Sequence, residues 1–255
     1  MLYYRDKGKG KVIIFLHGFL ENSRMWRFFQ NNLSRKYRVI TIDLPGHGRS
    51  SKKTNEVNRM EDMAKKVNKV LEYLKIDNVI IIGHSMGGYV ALAFADLYKY
   101  KVSGLCLFYS TTLPDDESKK EQRLKAAEIA VKNPKEFFRV SIPNLFAPKN
   151  VSQMQAEIKT AISWAKHASL TGISAALKGM RLRKDRTDVV RNLDKPVLII
   201  LGKYDNAIKN SELKNKLDGV ENLSIHEIST GHMGALEAPK ECLEIIEAWM
   251  NRNFN

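Results

Sequence analysis

The stretch "VIIIGHSMGGYVALAFA", residues 79–95, restricts this chain more than any other. Four branched apolar residues lead straight into Gly83-His84-Ser85-Met86-Gly87-Gly88, and an apolar segment of helical character follows at once. A strand that becomes a helix within so few residues leaves no room for side chains two positions either side of the turn. Gly83 and Gly87 supply that room, and the residue between them takes strained backbone angles with its side chain thrust outward. That residue is Ser85. The pattern predicts one hydroxyl presented at the carboxyl end of a sheet, beside the amide of Met86 at a helix N-terminus.

Similar short, β-branched runs recur along the chain. "KVIIFLHG" (11–18), "YRVITIDLPGHGRS" (37–50), "KVSGLCLFYS" (101–110), "KPVLIILGKYD" (195–205) and "ENLSIHEIST" (221–230) read as strands, and "LYYRD" (2–6) as one more at the start. Helical segments alternate with them. In "RMEDMAKKVNKVLEYLKI" the residues Met60, Met63, Val67, Val70, Leu71 and Leu74 recur at helical spacing, and "PKECLEIIEAWMNRNF" closes the chain. Near-continuous apolar strands alternating with helices imply an α/β protein with a mainly parallel, doubly wound sheet of about seven strands, covered on both faces.

One segment breaks the alternation. Between Pro114 and about Arg186 there is no good strand, and "SKKEQRLKAAEIAVK", "PKEFFRVSIPNLFA" and "VSQMQAEIKTAISWAKHASLTGISAALKGM" all read as helix. Residues 1–113 and 187–255 are therefore expected to form the core, with 114–186 a helical cap over the strand ends, where open α/β sheets bind ligands.

Serine is a poor nucleophile without a base, and the base needs an orienting acid. In this kind of turn they follow in the order serine, acid, histidine. Of the downstream histidines, His167 lies in the cap pattern "SWAKHASL", and His226 lies within a strand, where a ring satisfied in the sheet is expected. His232 stands in the loop "STGHMGALEAP", free to reach the strand ends. Asp205 directly follows the strand "PVLIILGKY", whereas Asp185, Asp188 and Asp194 precede it. The set is Ser85, Asp205 and His232, with the amides of Phe19 and Met86 as oxyanion donors. His17 is expected to hold its loop by hydrogen bonding, and His47 to be a turn residue near the rim. No histidine pair has metal-ligand spacing, so neither metal nor cofactor is expected.

Composition narrows the remaining classes. With 255 residues the chain can hold one sizeable core. No apolar run is long enough for a bilayer, and no signal peptide is read at the N-terminus. The two cysteines, Cys106 and Cys242, sit in apolar patterns and read as buried free thiols, which fits a reducing cytoplasm. The net charge is +14, yet the lysines are scattered and no nucleic-acid-binding signature is present. From Lys132 to Arg186 eleven basic residues face three acidic ones. A cap so charged would favour anionic substrates.

Together "HGF", "DLPGHGRS", "GHSMGG", "LGKYD" and "GHMGALEAP" resemble the α/β-hydrolase superfamily, in its group of small capped serine esterases and lactonases. The resemblance implies a hydrolase of small to medium carboxylic esters working through an acyl-enzyme. It also leaves open a carbon–carbon hydrolase, lyase or lactonase acting on an anionic substrate, a perhydrolase, and a ligand-binding sensor of the same fold. The expected partner is a small-molecule ester, not a nucleic acid or a membrane. Expected pocket residues are Phe19, Met86, Phe137, Phe138, Leu145, Met154, Trp164 and Met233, with Arg181 and Arg183 for an anionic group.

Overall fold

The computed structural model describes residues 1–254. Its strands are β1 (Tyr4–Lys7), β2 (Val12–Leu16), β3 (Arg38–Ile42), β4 (Val79–His84), β5 (Val102–Phe108), β6 (Val197–Gly202) and β7 (Leu223–Ile228). They form one sheet in the order β1-β3-β2-β4-β5-β6-β7. All pairs are parallel except β1 with β3, which runs antiparallel at the edge with Tyr4 opposite Ile42. The central strands β4 and β6 are buried along their whole length, as their uninterrupted apolar sequence requires.

Helices α1 (Arg27–Leu33), α2 (Met60–Tyr73) and α3 (Met86–Leu97) cover the first half of the sheet. In α2 the apolar stripe Met60, Met63, Val67, Val70 and Leu71 is buried and the opposite face is charged. In α3 every residue from Met86 to Ala95 is buried, because the sequence there is apolar all round. No described helix is long and apolar enough to cross a membrane. Cys106 and Cys242 are free and buried.

Between β5 and β6 the chain forms α4 (Glu117–Lys132), α5 (Pro134–Ser141), α6 (Gln155–Ala165) and α7 (Leu170–Arg181), and no strand. After them come α8 (Thr187–Arg191), α9 (Asn210–Lys216), α10 (Gly234–Glu237) and α11 (Pro239–Phe254). The segment from 151 to 180 is not one run of helix. It breaks at residues 166–169, where Ser169 caps α7 by accepting from the Gly172 N–H at 3.0 Å. Pro143 and Pro148 confine residues 142–154 to single tight turns.

The inserted helices are fastened to the sheet through α7. A Cβ at Gly172 would stand 2.4 Å from the Gly46 Cα, and one at Gly179 would stand 1.7 Å from the Asn58 carbonyl oxygen. This close approach lets the main chains bond directly, Ser169 N–H to the Gly46 carbonyl and Asn58 N–H to that of Ala175, both at 3.0 Å. Helix α4 packs in turn on α7, with Ala127 and Ala130 as its buried residues. Substituting Gly172→Ala should therefore wedge α7 away from the loop after β3 and lower stability by about 1–3 kcal/mol. Chemical denaturation measures this; an unchanged midpoint would mean that the contact yields without cost.

Candidate active site

Ser85 stands between β4 and α3 with φ 49° and ψ −114°, a strained conformation for a residue with a side chain. The reason is steric. A Cβ at Gly83 would meet the Gly87 carbonyl oxygen at 2.4 Å, and one at Gly87 would meet the Leu16 carbonyl oxygen at 2.3 Å. The turn is locked by the Ser85 N–H donating to Phe108 (3.1 Å) and by the Ser110 hydroxyl donating to the Ser85 carbonyl (2.8 Å).

Two other strand ends meet this hydroxyl. His232, between β7 and α10, has Nε2 2.8 Å from Ser85 Oγ. Its Nδ1 lies 2.7 Å from Asp205 Oδ2, just after β6. A carboxylate can only accept, so Nδ1 carries the proton and Nε2 is left to accept from the serine hydroxyl. The other Asp205 oxygen accepts from the Ala207 N–H at 2.7 Å, which fixes the carboxylate plane. Asp205 and His232 are buried while Ser85 is partly exposed.

The amides of Phe19 and Met86 donate to nothing among the described residues. One lies at the N-terminus of α3 and the other in the loop after β2. His17 holds that loop: its Nε2 accepts from the Leu44 N–H at 2.9 Å, so its Nδ1 donates to the Gly18 carbonyl at 2.7 Å. Burial keeps His17 below its ordinary pKa. His47 is not at the rim but fully buried against His17, and burial, followed by that neighbour, lowers it to about 3. His226 is not satisfied within the sheet; it lies exposed on β7 at the sheet's edge.

The sequence reading overlooked a second pair of charges behind the serine. Glu21 and His84 are buried together, with Oε2 2.8 Å from Nδ1. His84 Nε2 faces the carbonyl oxygen of His232 at 3.0 Å. Both ring nitrogens meet acceptors, so both carry protons and His84 is an imidazolium. Burial opposes both charges, but their mutual attraction outweighs it: His84 lies above its ordinary pKa and Glu21 below its own. Glu21 Oε2 also accepts from the Gly18 N–H at 2.6 Å. One carboxylate thus ties the loop after β2 to the strand before Ser85 and, through His84, to the main chain of His232. The other oxygen, Oε1, is buried without a hydrogen-bond partner among the described residues.

A cavity of about 160 Å³ opens over Ser85. Of the expected pocket residues, Phe19 and Leu145 line it. Met86, Phe137, Phe138, Met154, Trp164, Met233 and Arg181 do not. Met86, Phe138, Trp164 and Met233 belong to the buried hydrophobic core, with Phe137 and Met154 packed against it, since helical spacing marks an apolar face without saying what covers it. Arg183 lies outside the cavity, bonded to Asp115 at 2.6 Å and stacked 4.3 Å from the Tyr89 ring centre. The cations that do line the cavity are Lys119 and Arg123 of α4, together with Tyr89, Met180 and Ala207. Asp115, Lys119 and Arg123 stand four residues apart, a helical spacing that could have revealed them.

The model of the family described as alpha/beta hydrolase fold matches residues 11–127, from β2 through the turn at Ser85 into α4. The chain has the α/β-hydrolase fold. A thermophilic esterase from Thermogutta terrifontis, solved with malate bound, has a TM-score of 0.92 at 29% identity, covering 98% of this chain and 93% of that one. A putative 2-succinyl-6-hydroxy-2,4-cyclohexadiene-1-carboxylate synthase of Bacillus subtilis is 28% identical over 207 residues, 76% of this chain and 74% of that protein. The dihydrolipoyllysine-residue acetyltransferase component of an acetoin cleaving system of Pseudomonas putida is 29% identical over 96% of this chain, which spans 64% of that longer protein. The family and these neighbours support a hydrolase.

The buried ion pair sets a pH dependence. His84, raised in the folded state, contributes stability that is complete below its unfolded pKa and is lost as pH rises through the folded value. Glu21, depressed, contributes stability present above its ordinary 4.5 and lost as pH falls through its folded value. Glu21→Gln should therefore destabilise most between about pH 4.5 and 6.5. The gap from the unsubstituted protein should narrow toward either extreme. Urea denaturation across pH measures this, and a gap independent of pH would remove the ion pair from the account.

Proposed function

We propose that this protein is a serine hydrolase of small carboxylic esters, with residues 114–186 as the cap of its substrate site. One observation carries the reading: a strained serine at a strand-to-helix turn, in hydrogen-bond contact with a histidine whose other nitrogen is held by a buried carboxylate. Ser85 Oγ attacks the ester carbonyl and its proton passes to His232 Nε2. The carbonyl oxygen, now negative, is held by the amides of Phe19 and Met86. Collapse of the intermediate breaks the carbon–oxygen bond, and His232 gives its proton to the departing alcohol. His232 then takes a proton from water, which attacks the acyl-enzyme and releases the acid, restoring Ser85. Asp205 keeps the His232 tautomer fixed and stabilises the imidazolium of each step.

The likeness to the Thermogutta esterase across nearly the whole chain supports an ester as substrate. The cavity over Ser85 is smaller than the roughly 300–1,000 Å³ usual for drug-sized ligands, which suits a small group at the reacting carbon. The cap has its own fastening to the base. The His232 N–H donates to the Leu145 carbonyl at 2.7 Å, and Glu237 accepts from both the Gly231 and the Ala147 amides at 2.9 Å.

Ser85→Ala should reduce hydrolysis of 4-nitrophenyl butyrate by about four to six orders of magnitude and abolish labelling by a fluorophosphonate. His232→Ala should match it, because the two act as a unit, and Asp205→Asn should be one to two orders milder. Activity retained in purified, folded Ser85→Ala would refute the reading; damage from His226→Ala in place of His232→Ala would move the base elsewhere.

A further inference from the structure

Outside the Ser85 cavity lies a second, larger cleft of about 490 Å³. The two spaces share Lys119 and Ala207 on their walls, so these residues form the neck between them. The charges at this neck are out of balance. Of the buried carboxylates nearby, Glu21 is paired with His84 and Asp205 with His232, and two guanidinium groups already share the remaining one, Asp115: Arg183 reaches Oδ1 at 2.6 Å, and Arg123 bonds both oxygens. The Lys119 N–H donates to the capping Asp116 at 2.8 Å, but its side-chain ammonium, one turn before Arg123 on α4, has no hydrogen-bond or ion-pair partner among the described residues. Arg123, Arg183 and Lys119 are therefore three cations around the single carboxylate that no histidine holds. The next acid along the chain, Asp116, is exposed and bonded to Lys209 at 3.0 Å. Burial, then the charges of Arg123 and Arg183, hold the half-buried Lys119 ammonium below the ordinary lysine pKa. Such a cluster is costly as it stands and is relieved by an anion from outside.

We propose that Lys119 is a carboxylate-binding residue of the substrate site, and that the preferred substrates are esters or lactones carrying one carboxylate, with the reacting carbonyl over Ser85 and the carboxylate at the neck. The proposal rests on the hydrolase reading of Ser85. A single unpaired ammonium matches a singly charged carboxylate better than a doubly charged phosphate. A lysine is a point charge on a flexible stem, so it selects for charge and tolerates variation in the length of the acid. The cations expected for this task, Arg181 and Arg183, are displaced from it: Arg183 by its bond to Asp115, and Arg181 by lying off both walls.

Two measurements on the 255-residue chain decide it. The first compares kcat/KM for 4-nitrophenyl hemiglutarate and 4-nitrophenyl butyrate. Lys119→Met should lower the anionic-to-neutral ratio about tenfold, chiefly through KM, as loss of a charged hydrogen bond predicts. Lys119→Arg should restore most of it, and Lys125→Met, an exposed charge on the same helix, should leave it alone. The second needs no turnover: the thermal shift of Ser85→Ala with monomethyl glutarate against dimethyl glutarate. The monoanion should stabilise more, and the difference should vanish when Lys119→Met is added. A ratio unmoved by Lys119→Met, or equal shifts with both diesters and monoesters, overturns the subsite while leaving the nucleophile standing. Failure of the parent reading shows separately, as an unsubstituted protein that fluorophosphonate does not label.

Discussion

The turn at Ser85 is the constraint on which everything else depends. A residue held at φ 49° costs on the order of 1–3 kcal/mol, and the conformation persists only where the surroundings leave no alternative. Here the strand before it is buried on both faces and the helix after it is apolar all round, so neither can rotate to relax the turn. The backbone of β2 closes the remaining side, with the Leu16 carbonyl where a side chain on residue 87 would go. The position of the hydroxyl is thus a property of the sheet core rather than of a loop. That rigidity is what allows partners from strands as distant in sequence as β6 and β7 to be aimed at it.

Much of this arrangement was legible in the sequence, because it obeys local rules. Seven strands, their mostly parallel order and the helical stretch between Pro114 and Arg186 follow from apolar runs and their punctuation. Ser85, Asp205 and His232 stand out because each directly follows a strand or sits in a glycine-flanked loop. The pocket was far less legible. Periodicity shows that Phe138 and Trp164 are buried, but α5 and α6 could turn those side chains toward the substrate or toward the core, and they turn them to the core. His47 and His226 were misplaced for a related reason. A Pro-Gly turn looks peripheral but lies under the inserted helices, and a strand residue looks buried although β7 is the last in the sheet.

Charges were the least legible of all. Glu21 and His84 lie 63 residues apart and meet only because the loop after β2 folds over the end of β4. Local spacing carries no trace of that meeting. The count of basic residues ran from Lys132 to Arg186 and so passed over Lys119 and Arg123, the cations that line the cavity. Arg183 and Arg186 are nearly fully buried and held by Asp115 and by Glu61, so they support the packing of α7 and α8 against the core. Counting charge along a chain measures supply; which cation is left over depends on where each carboxylate ends up.

The hydrogen bond from His232 to Leu145 also bears on how molecules would enter and leave. A cap that swung open as a hinged flap would pull the loop of residues 145–150 away from residues 231–237. It would strip the His232 amide and Glu237 of their partners in the same motion. His232 would lose its main-chain anchor whenever that side was open. The opposite mouth, between α4 and the loop of residues 206–209, is tied down as well: Lys209 bonds to Asp116 across it, and the Ala207 N–H of that loop holds the Asp205 carboxylate that meets His232. Both mouths are thus anchored to one histidine, through its amide on one side and through its carboxylate partner on the other, so neither can gape without loosening the grip on the Ser85 hydroxyl's neighbour.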